Sequence, residues 1–551
     1  MRDPNGPLTG RPSVRAKRGM IATPHYLAST TGIRILRQGG SAVDAAIAAN
    51  AVLCVAYPHM AGLGGDGFWL IHDPEKGLQA LNASGPAARN ATIDYYRERD
   101  HTEEIPSRGP MAALTVPGAV DGWRKAHERL GRLTWKDLFE DAVHYAREGV
   151  AVSRSVADKI SEDIPVFRKH SSSARLFMPG GQVLKEGDSL VQPNLAKSLD
   201  MIARDGARNG FYEGAAAEKI CKALNPTGSP LRPEDFDAYE ADWVEPLTTT
   251  YRGYSAAEFP PNTQGFTVLQ ILNMIEDYDV PAWGDGTVEY YHHLAEAVKL
   301  AFADRDAWLA DPDFADIPIQ KLISKEYARE RRSNIDPASS MEMGKIEPGI
   351  SMETTQQSPG GGDTCYFSIV DERGLTVSVI QSIFHEFGSA EIGGDTGILL
   401  QNRGAGFNLD ADHPNSLEPG KRPFHTLIPA MLMKDDKPYL SYGTMGGEGQ
   451  PQTHVAMVTR LIDFNYDVQQ AIEAPRWLMG RTWGVKTQDL SLEGRISDEV
   501  ARELKLRGQP VKMLPDWDDN MGHAQAIRID REHGFLEGGA DPRGDGYALG
   551  Y

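Results

Sequence analysis

The sequence predicts an α+β protein in which layers of helices cover antiparallel sheets, and three observations carry that prediction. Alternating strands arrive as hairpin pairs. Helical stretches arrive in runs of their own. The regular strand–helix–strand succession of a doubly wound parallel sheet does not recur. In chain order, Gly40 to Tyr57 (GSAVDAAIAANAVLCVAY) is small, apolar and alanine-rich, which predicts a buried helix packed closely against a neighbour. GLGGDG (62–67) feeds FWLIHD, a strand, then a turn at Pro74–Gly77, then LQALNAS, a second strand. Apolar residues at helical spacing predict helices over 118–130, 135–148, 194–205, 264–278 and 288–310. The stretch 311–363 is polar and ends in SMETTQQSPGGGD, the composition of a flexible linker. Pattern returns at Thr364: TCYFSIVD, a turn at Glu372–Arg373–Gly374 and LTVSVIQS read as a β-hairpin. PFHTLIPAMLMKDDKPYLSYGTMGG is again strand–turn–strand. VQQAIEAPRW is helical, a helix falls near 497–507, and a last strand pair lies around 522–537.

At 551 residues, 40% hydrophobic and 24% charged, the chain has ample material for a core. Its formal net charge of −20 repels phosphate backbones and anionic membranes, which argues against nucleic-acid and membrane partners. Three cysteines, Cys54, Cys221 and Cys365, form no C-x-x-C pair and are too few for a disulfide framework. The N-terminal twenty residues are polar without an apolar secretory core, and no apolar run reaches the roughly 18 residues of a membrane span. The expectation is a cytoplasmic protein acting on a small molecule, with no cofactor and no metal.

The junction GGGDTCYFS (360–368) is the most informative segment. A strand opening with Thr straight after a loose segment suits an N-terminal nucleophile. Cutting the bond between Asp363 and Thr364 frees an α-amine of pKa about 7.7–8.0, which takes the proton of the same residue's hydroxyl at neutral pH. Threonine is equally at home as a plain first residue of a strand. GLGGDG satisfies G-x-G-x-x-G, but a helix precedes it and a strand follows. That is the reverse of a dinucleotide site, and tight turns or close backbone approach explain the glycines better. Gly446 and Gly447 in YGTMGGEGQ either aim two N–H groups at an oxyanion or make an ordinary turn. His292–His293 lacks further ligands at metal spacing and reads as packing or surface. Strand alternation turns Cys365 away from Thr364.

GGSAVDAAIAAN, GLGGDGFWLIHD, TVPGAVDGW, GDTCYFSIVDERGLTVSV, FGS, TGILLQNRGAGF, KRPFHTLIPAM, GTMGGEGQPQ, AIEAPRW and the closing DPRGDGYALGY, in this order, resemble the γ-glutamyltranspeptidase family. The resemblance runs from about residue 19 to the C-terminus. It implies a four-layer α/β/β/α sandwich of the N-terminal-nucleophile hydrolases and a precursor that cuts itself into 1–363 and 364–551. The two pieces then form a heterodimer, either alone or paired into a dimer of heterodimers. By the same resemblance Thr364 is the nucleophile, Ser382 the supporting hydroxyl, and Gly446 and Gly447 the oxyanion hole.

Substrate recognition departs from the family pattern. Asn82 stands where γ-glutamyl enzymes place the Arg for the α-carboxylate. Phe384 replaces an Asn, Gly406 an acidic residue for the α-ammonium, and His425 and Thr426 a pair of serines. Losing a charge-assisted contact to a carboxylate costs roughly 1.5–3 kcal/mol, so glutathione fits poorly. Arg403 offers a new fork to a carboxylate, or else makes a structural ion pair, and His425 offers a further donor. The segment GFNLDADHPNSLEPGKRP is short, so the family's longer lid over the pocket is absent. QSIFHEFGS with LQNRGAGF is similar to the γ-glutamyltransferase-like branch that includes oxamate amidohydrolase. The expected activity is amide hydrolysis of a small, carboxylate-bearing, oxamate-like substrate through an acyl-enzyme on Thr364. The alternatives are a glutathione hydrolase or γ-glutamyltransferase, a glutaryl-amide (cephalosporin-type) acylase, and, from another class, a non-catalytic binding protein on the same scaffold.

Overall fold

Helix Ala42–Ala56 shows why the layers form. Ser41 caps it, its hydroxyl accepting from the Asp44 N–H while the Asp44 carboxylate accepts from the Ser41 N–H. Every residue of the helix is buried, and its alanines allow close approach to helices Tyr26–Arg37 and Glu140–Glu148. In the computed structural model, which describes residues 9–350, 363–480 and 487–551, this helical layer covers a seven-stranded sheet. Its strand order is Tyr547–Gly550, Met20–Thr23, Asp363–Val370, Thr376–Phe384, Asp66–Asp73, Gly77–Ala83 and Asp242–Val244. A second seven-stranded sheet runs Val14–Ala16, Phe535–Ala540, Ala524–Asp530, Lys437–Thr444, Ala430–Lys434, Tyr254–Glu258 and Leu247–Tyr251. All pairings within both sheets are antiparallel. Helices Gly265–Ile275, Val288–Trp308 and Gln450–Ile462 pack into the core that covers the outer face of the second sheet.

The sheets face each other across Phe68, Leu70, Ala80, Phe259, Tyr366, Ile380 and Leu427. They approach closely: the Ser368 hydroxyl donates to the Ser441 hydroxyl at 2.6 Å, and a Cβ on Gly443 would lie 2.5 Å from the Tyr366 ring. The result is the expected four-layer α/β/β/α sandwich.

Most predicted elements are present near their predicted bounds, and the differences are instructive. The N-terminal arm supplies two strands, and Met20–Thr23 sits between Tyr547–Gly550 and Asp363–Val370. Within the polar stretch 311–350, helices Ile319–Leu322 and Lys325–Arg332 form. The loose segment before Thr364 lies outside the described residues, apart from Asp363. Among the described residues no helix is long and apolar enough to cross a membrane.

Candidate active site

Strand Asp363–Val370 sends its residues alternately to two layers. Cys365, Phe367 and Ile369 join the core under the helices, so Cys365 does turn away from Thr364 as predicted. Tyr366 and Ser368 face the second sheet, and Thr364 shares their side. The Thr364 side chain is fully buried, and among the described residues its Oγ1 has no hydrogen-bond partner. On the next strand, Ser382 is paired with Asp66. Tyr366, Ile380 and Phe68 make one row across these three strands; two residues along, Ser382 and Asp66 are direct partners, while the ladder shifts register between Asp363 and Cys365, at Thr364. Ser382 Oγ accepts from the Phe384 N–H at 2.8 Å and from Arg403 Nη2 at 3.3 Å. Phe384 has φ 81°, a left-handed conformation costly for an aromatic residue. It holds its ring under the Arg403 guanidinium, 4.1 Å from the centroid.

The second sheet brings the glycine pair to the same end. Tyr366 lies against Gly443 and Ser368 against Ser441, and Gly446 follows two residues after the end of strand Lys437–Thr444. Gly446 has φ 124° and Gly447 φ 53°, conformations that glycine adopts without a Cβ penalty. The loop is clamped from behind. Gln264 Nε2 donates to the carbonyls of Gly447 (3.1 Å) and Thr426 (2.8 Å). Buried Arg305 donates to Gln264 Oε1 and to Glu448 Oε2, both at 2.9 Å. Fixed backbone dipoles of this kind cost no reorganisation when charge develops nearby. At Gly446 an alanine Cβ would sit 3.3 Å from Gly522 Cα on top of the strained φ. Gly446→Ala is expected to lower kcat about 10²-fold with far-UV circular dichroism unchanged, measured by steady-state kinetics.

Arg403, His425 and Asp66 are fully buried together. Arg403 Nε and Nη1 have no hydrogen-bond partner, and among the described residues no carboxylate contacts the guanidinium as an ion pair. Burial brings its pKa down to about 9, against the opposing pull of Asp66. His425 Nε2 lies 3.2 Å from Asp66 Oδ2, without the alignment of a hydrogen bond, and Nδ1 has no partner. Burial first, then the Arg403 and Arg422 charges, hold this imidazole well below its usual range, so it is neutral. Asp66 Oδ1 accepts from the N–H of Gly85 (3.0 Å), the N–H of Gly118 (3.1 Å) and Gln401 Nε2 (3.0 Å). Burial nevertheless pushes the Asp66 carboxyl up to about 7.

Residues 28–551 match the family model described as Gamma-glutamyltranspeptidase. The chain belongs to the gamma-glutamyltranspeptidase family. With that family it is an N-terminal-nucleophile hydrolase. It is 46% identical over 539 residues to the "Glutathione hydrolase-like YwrD proenzyme" of Bacillus subtilis, covering 98% of this chain and 99% of the relative. It is 41% identical over 538 residues to the "Oxamate amidohydrolase proenzyme" of Klebsiella pneumoniae, covering 97% and 98%. Among solved structures, cephalosporin acylase from Bacillus halodurans superimposes with a TM-score of 0.91 at 34% identity, covering 100% of this chain and 99% of that one.

In this member of the gamma-glutamyltranspeptidase family, Ser382, Phe384 and Arg403 are in mutual contact, and Asp66, the strand partner of Ser382, faces His425. Gln264 ties the neighbouring Thr426 to Gly447 through their carbonyls. Thr426 Oγ1 is buried and unpartnered. Asn82 is engaged elsewhere: its Nδ2 donates to Asn262 Oδ1 at 3.1 Å, and its Oδ1 accepts from the Ser84 N–H (3.0 Å) and hydroxyl (2.7 Å). It buttresses the loop that carries Asn262, whose Nδ2 donates to the Pro423 carbonyl at 2.8 Å. The Gly406 carbonyl accepts from Asn415 Nδ2 at 2.7 Å. His292 and His293 are packing residues, as predicted: His292 Nε2 meets the Asp336 carbonyl at 2.8 Å, and His293 stacks on Trp283 at 4.5 Å. Sequence reasoning missed Asp66, Gln264 and Arg305. For Asp66 a signal existed, a lone carboxylate inside a glycine run that opens a strand of apolar residues.

Proposed function

We propose that the chain cuts itself between Asp363 and Thr364, and that the resulting pair of subunits, 1–363 and 364–551, hydrolyses the amide of a small carboxylate-bearing substrate such as oxamate. The observation that carries the substrate class is the Arg403 guanidinium, fully buried with two donor nitrogens unused. A buried cation without an ion-pair partner is costly, and an anionic ligand supplies the missing charge. Nε or Nη1 makes a bidentate fork for a carboxylate with the neighbouring Nη2, which has two N–H groups and gives one to Ser382 Oγ. With Asn82 tied to Asn262 and Ser84, and Gly406 lacking a side chain, the polar groups that receive a γ-glutamyl head elsewhere in the family are not offered here.

In this reading the substrate carboxylate docks on Arg403 and its amide carbonyl lies over Thr364. The freed α-amine of Thr364 takes the proton of Oγ1 as that oxygen bonds to the amide carbon. The oxyanion turns toward the backbone of Gly446 and Gly447. The α-ammonium returns the proton to the amide nitrogen, the C–N bond breaks and ammonia leaves. Water then attacks the ester, giving its proton to the same amine, and the acid product departs with Thr364 Oγ1 reprotonated. Ser382, which accepts from the Phe384 N–H and from Arg403, links the carboxylate end of the site to the nucleophile.

The test is to incubate purified protein separately with oxamate, glutathione and a glutaryl amide, measuring ammonia and glutamate by enzymatic assay and freed amine by chromatography. Ammonia from oxamate with little glutamate from glutathione is expected. Faster glutamate release from glutathione, or freed amine from the glutaryl amide alone, defeats the small-substrate reading while leaving the chemistry at Thr364 intact.

A further inference from the structure

We propose that Asp66 is part of the binding site and takes up a proton as the anionic substrate docks on Arg403, so that the pocket selects a carboxylate rather than a zwitterion. This rests on the reading of Arg403 as the carboxylate receptor.

Asp66 is the direct strand partner of Ser382, whose hydroxyl accepts from Arg403, on the face that meets the second sheet. One carboxylate oxygen is saturated by three donors. The other, Oδ2, is buried, lacks a hydrogen bond, and lies 3.2 Å from His425 Nε2. The charged and titratable groups around it come from several elements. Gln401 and Arg403 belong to the segment after the hairpin, and His425 to the loop before Ala430. Tyr212 and Tyr239 come from the helical layer, and Ser382 from the neighbouring strand. Both phenols are held far above their usual range by burial, and the His425 imidazole is neutral. Arg422, which faces His425, is paired with Asp242. After cleavage the Thr364 amine adds a further titratable group, at the start of the strand beside that of Ser382.

Among the described residues Arg403 is thus the cation left for this face, and Asp66 already draws on it. A substrate carboxylate adds a second negative charge in a water-poor space. Two carboxylates sharing such a site do not both stay ionised. The group with the raised pKa, Asp66, is the one that accepts the proton. The step is a simple addition: solvent H⁺ joins Oδ2, no other bond breaks, and the new O–H donates to His425 Nε2 in the tautomer carrying hydrogen on Nδ1. A zwitterionic head would do the opposite, keeping Asp66 ionised as the partner of its ammonium.

The experiment is titration calorimetry of the mature protein with oxalate at pH 8, in two buffers of different ionisation heat, to count protons. The wild type is expected to take up about one proton more per oxalate than Asp66→Asn, an isostere that mimics the protonated acid. Asp66→Asn should bind oxalate about tenfold tighter at pH 8, with the two proteins converging near pH 6. Equal proton counts in the two proteins overturn the proposal, as does glutamate binding more tightly than oxalate and losing that advantage in Asp66→Asn. Should Asp66→Asn fail to mature, the wild-type count alone decides: no proton uptake at pH 8 overturns the inference. If the Arg403 reading is itself wrong, the signature differs, because oxalate then binds neither protein or binds Arg403→Met as well as wild type.

Discussion

Thr364→Ala is expected to remain a single uncut chain on a denaturing gel and to lose at least about 10³-fold in amide hydrolysis. The wild type should give two bands corresponding to 1–363 and 364–551. One substitution removes both the hydroxyl that attacks the preceding carbonyl and the nucleophile of the mature enzyme. Thr364→Ser keeps the hydroxyl and should still be cut, more slowly, with partial activity. The fold should survive, because alanine occupies the same strand position and loses only a side chain whose oxygen has no hydrogen-bond partner. Active, uncut wild-type protein would remove the base from the mechanism and sink it.

Arg403→Met should raise KM for oxamate or lower kcat/KM by about 10²–10³-fold, the cost of removing one partner of a buried charge-assisted pair. Activity on an uncharged amide of similar size should change far less. Arg403→Lys keeps the charge but not the fork, and should recover only part of the loss. Stability should move the other way. The guanidinium has its pKa lowered to about 9 by burial, so between about 9 and the ordinary arginine range the unfolded chain binds more protons than the folded one. Stability therefore rises with pH across that window, and below it the full penalty is present. Replacing the buried charge with a thioether of similar volume removes the penalty, and the melting temperature at pH 7 should hold or rise. A marked fall would mean that Arg403 is a structural pillar instead.

How much of this was legible in the sequence follows from how local each signal is. Helix Ala42–Ala56 and the hairpin Asp363–Phe384 were readable because alanine content, alternation and a Gly-containing turn act over a few residues. Strand Met20–Thr23 was not, since its partners are Ser368–Val370 and Tyr547–Gly550, and four residues carry no period of their own. Helix Gln450–Ile462 was hidden for a different reason. Nearly all of it is buried, so it lacks the polar face that betrays a helix. In the candidate site, the assignments of Thr364, Ser382 and the glycine pair rest on strand ends and the family pattern, and that of Arg403 on a departure from that pattern. The clamp of Arg305 and Gln264 on the Gly447 loop joins residues whose separation in the chain leaves no motif, and Asp66 was passed over because its neighbours' glycines explained the segment by themselves.

Strand Met20–Thr23 is hydrogen-bonded on one edge to Ser368–Val370 and on the other to Tyr547–Gly550, both of which the proposed cut would assign to the C-terminal piece. A polypeptide severed as proposed would therefore be two lengths of chain woven through one sheet, neither able to withdraw without tearing the other's ladder. Such a molecule would assemble as an unbroken strand before the cut, and its working lifetime would be set by how rarely the weave opens, a matter of barrier height rather than of equilibrium depth.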